Sequence, residues 1–139
     1  MSIILDSNFI FAISFKQDKN FKRAYEIFTK LKENDARPLL TNNLVVEETI
    51  TLVVARFNGN PFHLDKIREL MWGNDNFFQI EYLTQDDYKD MFNILKKYTT
   101  LKRLLSCVDA SLIFLYQKFN AEKIISFDGH FDGILDRLY

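Results

Sequence analysis

The sequence predicts an α/β fold: a mainly parallel sheet with helices on both faces. Three observations lead there. Short apolar runs recur at Ile3-Ile4-Leu5, which is rich in β-branched side chains, and at Arg37-Pro38-Leu39-Leu40, Phe77 to Leu83 and Lys123-Ile124-Ile125-Ser126-Phe127. Amphipathic segments of helical period separate them, the alternation expected of parallel strands joined by helical crossovers. Hydrophobic residues make up 47% of the 139 residues, enough for a real core in one domain spanning 1–139.

Each element has a local reason. The first run is too short for a helix and reads as a buried strand. Ile10 to Phe15 stays apolar and opens a short helix or turn. Phe21, Ala24, Tyr25, Phe28 and Leu31 recur at helical spacing, in a helix closing near Asn34-Asp35. The second strand tolerates Pro38 at its start. Thr41-Asn42-Asn43 supplies cap residues for a helix over 44–58, stopped by Gly59. Pro61 suits the first turn of the next helix, which carries Leu64, Ile67, Leu70 and Met71. A loop at 73–76 precedes the strand from Phe77 to Leu83. Thr84-Gln85-Asp86-Asp87 has capping-box spacing and starts a helix with Tyr88, Phe92, Leu95 and Tyr98 inward. After a loop over 99–103, Ser106-Cys107-Val108-Asp109 repeats that spacing before the apolar helix 110–119, with Asn120 as its stop. The strand at 123–127 runs into Asp128-Gly129-His130-Phe131-Asp132, and a short helix holding Ile134, Leu135 and Leu138 closes the chain.

Composition narrows the function. A net charge of −1 gives no global basic signature of a nucleic-acid binder, although a local basic rim is compatible with it. The single cysteine, Cys107, rules out an intramolecular disulfide framework, and two distant histidines without a CxxC argue against a zinc site. The N-terminus lacks the basic region and cleavage site of a signal peptide, and no apolar run approaches the ~20 residues of a membrane span. The expected location is the cytoplasm. Of the 14 phenylalanines most must fill the core and some are expected to cover a partner surface; Phe9, Phe11 and Phe15 read as core in preference to the lining of a partner groove.

The chemistry is expected from acids. Asp6 and Asp128 follow strands, and Glu48 and Asp109 lie near helix starts that follow loops. In a parallel α/β sheet these positions share one edge, where such folds bind ligands. Clustered carboxylates repel one another and are held together by cations or protons. Oxygen ligands select hard ions such as Mg²⁺ or Mn²⁺, which can promote phosphodiester hydrolysis. Each residue also has a plainer role. Asp6 can cap a turn, Asp109 can complete a capping box, Asp128-Gly129 is a common turn pair, and Glu48 can sit on a solvated face. Ser7 and Asn8 can be turn formers, His130 a turn residue, and Lys102 and Arg103 a solvated loop. The signal lies in the set and its order.

That order resembles the PIN-domain nucleases, and within them the VapC-type toxins of prokaryotic toxin–antitoxin pairs. Ile4-Leu5-Asp6-Ser7-Asn8 is similar to the opening motif of the family, and Thr41 to Thr49 to the second, whose register selects Glu48 with Glu47 before it. Leu105-Ser106-Cys107-Val108-Asp109-Ala110 is similar to the third, and Ile124 to Phe131 to the fourth. The resemblance implies a three-layer α/β/α sandwich with a central mainly parallel sheet. It implies a divalent-metal-dependent endoribonuclease (Mg²⁺ or Mn²⁺) that leaves a 5′-phosphate and a 3′-hydroxyl. It further implies a homodimer and an antitoxin partner. On this reading Asp6, Glu48, Asp109 and Asp128 are the catalytic metal ligands. Asn8 and Ser106 aim them by hydrogen bonds, Glu47 and Asp132 are alternates, and Lys102 and Arg103 are candidates for RNA phosphate contact. Adjacent glutamates on a helix point about 100° apart, so only one of Glu47 and Glu48 faces the site squarely.

Three other readings compete. One is a PIN nuclease of RNA processing or decay without an antitoxin. Another is a catalytically silent module that binds RNA or protein, which would have no need to bear the repulsion of four acids. The last is a phosphatase with Asp6 as nucleophile, for which Asn8 stands where a second aspartate is wanted.

Overall fold

The computed structural model describes residues 1–34 and 37–139. Its centre is β1 (Ile3–Leu5), whose three apolar side chains are all buried. The chain continues through α1 (Ser7–Ser14), α2 (Phe21–Asn34), β2 (Leu39–Asn42), α3 (Asn43–Arg56), α4 (Pro61–Trp72) and β3 (Gln79–Glu81). It then forms α5 (Gln85–Tyr98), α6 (Cys107–Lys118), β4 (Lys123–Ile125), a 3-10 turn at Gly129–Phe131 and β5 (Arg137–Leu138).

The strands form one sheet in the order β3-β2-β1-β4-β5, with every pair parallel. From β1 the chain steps outward to β2 and β3, then crosses back to the other side of β1. Right-handed crossovers put α1 to α4 on one face of such a sheet and α5 with α6 on the other. The packing agrees: α1 meets α2 and α3, α3 meets α4, and α5 packs on α6, which lies against β1 and β2. This is the expected three-layer α/β/α sandwich. The direction of winding reverses between β1 and β4, so their carboxyl ends open a crevice.

The start and stop signals act as read. Asn60 caps α4, with Pro61 at its start, and Thr84 and Ser106 both close capping boxes. Asn120 takes a positive φ of 47° just beyond α6. Other boundaries move. α1 begins at Ser7 rather than Ile10, because Asp6 is extended and its own carboxylate caps the helix. The second strand sits at Leu39–Asn42, and Asn42 both ends it and caps α3. The third is trimmed to Gln79–Glu81. The end of α2 was expected near Asn34-Asp35, and Asp35 lies outside the described residues. Tyr25 and Phe92 face out, while Ala24, Ile27, Met91 and Ile94 are buried in their helices.

The closing helix is a correction. Residues 132–135 form turn and bend, with Gly133 at φ +81°, and the chain then becomes β5. The segment is too short to repay helix nucleation, while the open edge of β4 offers backbone partners. Ile124 N–H donates to the Asp136 carbonyl at 2.9 Å and Ser126 N–H to the Leu138 carbonyl at 3.3 Å.

One buried amide connects the two helical layers at the carboxyl edge of the sheet. Asn42 is fully buried; its Oδ1 accepts from the Leu44 and Val45 N–H groups and its Nδ2 donates to Ser111 Oγ on α6 at 3.0 Å. Replacing it by alanine strands buried polar groups and removes a cap. Asn42→Ala should therefore cost about 2 kcal/mol in urea unfolding. A loss below roughly 0.5 kcal/mol, the level of an ordinary surface substitution, would contradict this.

Candidate metal centre

The site is built at the crevice between β1 and β4. Asp6 leaves β1 and is only 5% exposed. Its Oδ1 accepts the Ser7 N–H at 2.7 Å. Its Oδ2 accepts the Ser126 hydroxyl at 2.6 Å and Asn8 Nδ2 at 3.3 Å. Ser126, fully buried at the end of β4, also accepts the Asp128 N–H at 3.0 Å and Asn8 Nδ2 at 3.3 Å. Asn8 Oδ1 takes the Phe127 N–H at 3.0 Å. The ends of two adjacent strands are thereby fastened by side chains just where ladder hydrogen bonding stops.

Two acids approach from other elements. Glu48, half-buried on α3, accepts the Ser7 hydroxyl at 2.6 Å. Glu47 is exposed, and no Ser7 contact reaches it. Asp109, 8% exposed, is the third residue of α6. It does complete a capping box with Ser106, whose N–H lies 2.9 Å from Asp109 Oδ2 and whose Oγ accepts the Asp109 N–H at 3.0 Å. The plain role is compatible with the chemical one, since the cap fixes the carboxylate at the edge of the crevice. Asp128 caps the 3-10 turn through Oδ1, which accepts the His130 N–H at 2.9 Å. The His130 ring returns over this turn, with Nδ1 at 3.3 Å from Asp109 Oδ2 and 3.5 Å from Asp128 Oδ2. One ligand atom from each of Asp109, Asp128 and His130 fits within 4.8 Å of the others.

The remaining candidates lie elsewhere. Asp132 is taken up by Arg137, which donates from Nε at 2.7 Å and from Nη2 at 3.0 Å. Arg103 Nη2 donates to the Asp132 carbonyl at 2.7 Å, and Lys102 is exposed in the loop before α6. In the sequence Ser126 reads as a strand residue and Ser7 and His130 as turn residues; the structure puts all three against the acids. The available signal for Ser126 was a hydroxyl at the end of an apolar run, two residues before Asp128.

The electrostatics fit a cation. Burial raises Asp6 from its ordinary pKa of 3.8 to about 6. Hydrogen bonds from Ser126 and the Ser7 backbone hold it lower than burial alone would, and repulsion from Glu48 and Asp109 pushes it further up. Among the described residues, no lysine or arginine forms an ion pair with Asp6, Glu48, Asp109 or Asp128. A hard divalent ion suits these oxygen donors, with His130 as a nitrogen neighbour.

The raised Asp6 makes a pH prediction for the metal-free protein. Between about pH 4 and 6 the folded chain keeps a proton that the unfolded chain has released, so rising pH lowers stability. The full loss is about 3 kcal/mol, the free-energy equivalent of the shift from 3.8 to about 6. Asp132, held low by its hydrogen bonds from Arg137, works in the opposite sense but below the ordinary carboxylate range. Denaturant unfolding across this window should show the fall in the parent, and Asp6→Asn should remove it. A parent profile identical to that of Asp6→Asn would contradict the assignment.

Comparison with solved structures shows the same fold. VapC20 from Mycobacterium tuberculosis, described as a sarcin–ricin loop cleaving toxin, is similar with a TM-score of 0.74 at 22% identity, over 92% of this chain and 91% of that one. A toxin–antitoxin complex from Klebsiella pneumoniae gives 0.66 at 18% identity, over 99% and 97% of the two chains. VapBC2 from Rickettsia felis, bound to a promoter DNA fragment, gives 0.69 at 12% identity over 100% of both. No curated protein matches the chain. The PIN domain model matches residues 3–134. The chain, with its acids gathered at the β1/β4 crevice, belongs to the PIN domain family.

Proposed function

We propose that this protein is a divalent-metal-dependent endoribonuclease, the toxin of a toxin–antitoxin pair. The observation that carries the reading is the gathering of carboxylates from four separate segments at one crevice, with hydrogen bonds fixing their directions. Asp6, Glu48, Asp109 and Asp128 would hold Mg²⁺ or Mn²⁺. When bound, such an ion polarises a phosphodiester and lowers the pKa of water, the chemistry of in-line hydrolysis.

The protein groups do the aiming. Ser126 and Asn8 orient Asp6, Ser7 orients Glu48, and Ser106 orients Asp109. Partners of this kind are worth about 10–100-fold in affinity or activity at metal sites. Exposed Lys102 remains the candidate for a phosphate contact. RNA as substrate is supported by the activity described for VapC20, and an antitoxin partner by the neighbouring complexes. A homodimer and a cytoplasmic location follow from the same family reading. Among the described residues no helix is long and apolar enough to cross a membrane.

Asp109→Asn should reduce Mn²⁺- or Mg²⁺-dependent cleavage of a mixed structured RNA to the level seen with chelator. Cleavage at the parental rate would overturn the site. Glu48→Gln should be severe and Glu47→Gln mild in the same assay, and the reverse ranking would exchange their roles. Independently of turnover, Mn²⁺ at about 100 times its Kd should stabilise the folded parent by about 2.7 kcal/mol, an increment that Asp109→Asn should lose.

A further inference from the structure

Three charged residues that the acidic site does not use are joined to one another. Asp132 ends the 3-10 turn that Asp128 begins, and its N–H donates to the Gly129 carbonyl at 3.1 Å. Arg137 reaches back from β5, gripping the Asp132 carboxylate in a two-point pair and donating from Nη1 to the Ser126 carbonyl at 3.1 Å. Its side chain is only 8% exposed. Arg103 comes from the other direction. Its backbone pairs with Thr100 in a tight turn of the α5–α6 loop, and its guanidinium holds the Asp132 carbonyl. That loop leads into the Ser106 cap of the helix bearing Asp109.

We propose that Arg103, Asp132 and Arg137 form a clasp that holds Asp128 and His130 against Asp109, making all three positioning residues for the reaction. A three-residue turn has little stiffness of its own. The clasp fixes its far end to both the sheet edge and the loop before α6, so the two sides of the site cannot drift apart. Its pair is well formed: hydrogen bonding from Arg137 keeps the Asp132 carboxyl below the usual carboxylate range. Arg103 is thereby assigned to the frame of the site rather than to a substrate phosphate. The catalytic part of this inference rests on the nuclease reading, but its geometric part does not.

The test uses Arg103→Met and Arg103→Lys in the full chain, with two readouts. The chain has only two histidines, so imidazole ¹⁵N resonances of the metal-free protein report His130 beside an internal reference, His63. Arg103→Met should move the His130 resonances and leave those of His63. It should also lower kcat for RNA about tenfold with KM unchanged, the size expected when a supporting hydrogen bond is lost. Arg103→Lys, which keeps a donor, should restore both. Unchanged His130 resonances with unchanged kcat would overturn the clasp. So would a raised KM at constant kcat with a shallower salt dependence, the signature of a lost phosphate contact. Arg137→Met is the harsher break; if it does not fold, the Arg103 pair still decides. If the parent cuts no RNA with Mn²⁺, the nuclease reading fails, and the His130 resonances alone sustain or overturn the clasp.

Discussion

A carboxylate as thoroughly covered as Asp6 is costly to keep at the end of a central strand, and the surrounding structure is arranged around that cost. The Ser126 hydroxyl donates to Asp6 across the boundary between β1 and β4 at 2.6 Å. Desolvation still dominates, leaving the group with a pKa of about 6. Buried charge tolerates this only with compensating partners, and the ionisable groups near Asp6, namely Glu48 and Asp109, add negative charge. The arrangement fits the proposed metal site, in which a bound cation would supply the counter-charge. The same hydroxyl and amide network also sets where β1 stops and α1 starts, so fold and site share their hydrogen bonds.

Topology explains why the acids meet. Parallel strands point their carboxyl ends the same way, and the reversal between β1 and β4 leaves a crevice there rather than a closed ladder. Asp6 and Asp128 arrive at strand ends. Asp109 arrives on the first turn of α6 and Glu48 on the second turn of α3, helices whose starts are set by Ser106 and Asn42. The start of α6 also favours the negative charge of Asp109, which offsets part of the repulsion. Asp109 illustrates the economy of this plan, since its capping bonds are the same bonds that orient it.

Much of this was legible in the residues. The buried first strand, the caps at Thr84 and Ser106, Pro61 at a helix start and the acidic set all rest on local chemistry that a sequence displays. Glu48 rather than Glu47 beside Ser7 is what the family resemblance selects, and helical phase adds that the two must point apart. What escaped depends on contacts between distant segments. β5 has two residues and exists because the edge of β4 is open to it. Ser126 looks like any strand residue until Asp6 is placed beside it. Phe92 matches helical period yet faces out, because Met91 and Ile94 fill the interface. Arg103, Asp132 and Arg137 look like separate loop charges until the fold brings them together.

The central claim is that the crevice collects these acids to hold a divalent cation. Anomalous diffraction from crystals soaked in Mn²⁺ measures this directly. The account predicts a manganese peak at the β1/β4 crevice, within ligand distance of Asp6 and Asp109, that disappears in Asp109→Asn crystals. Ordered crystals with the crevice open to solvent and no peak there, or with manganese bound only at other surface acids, would contradict it.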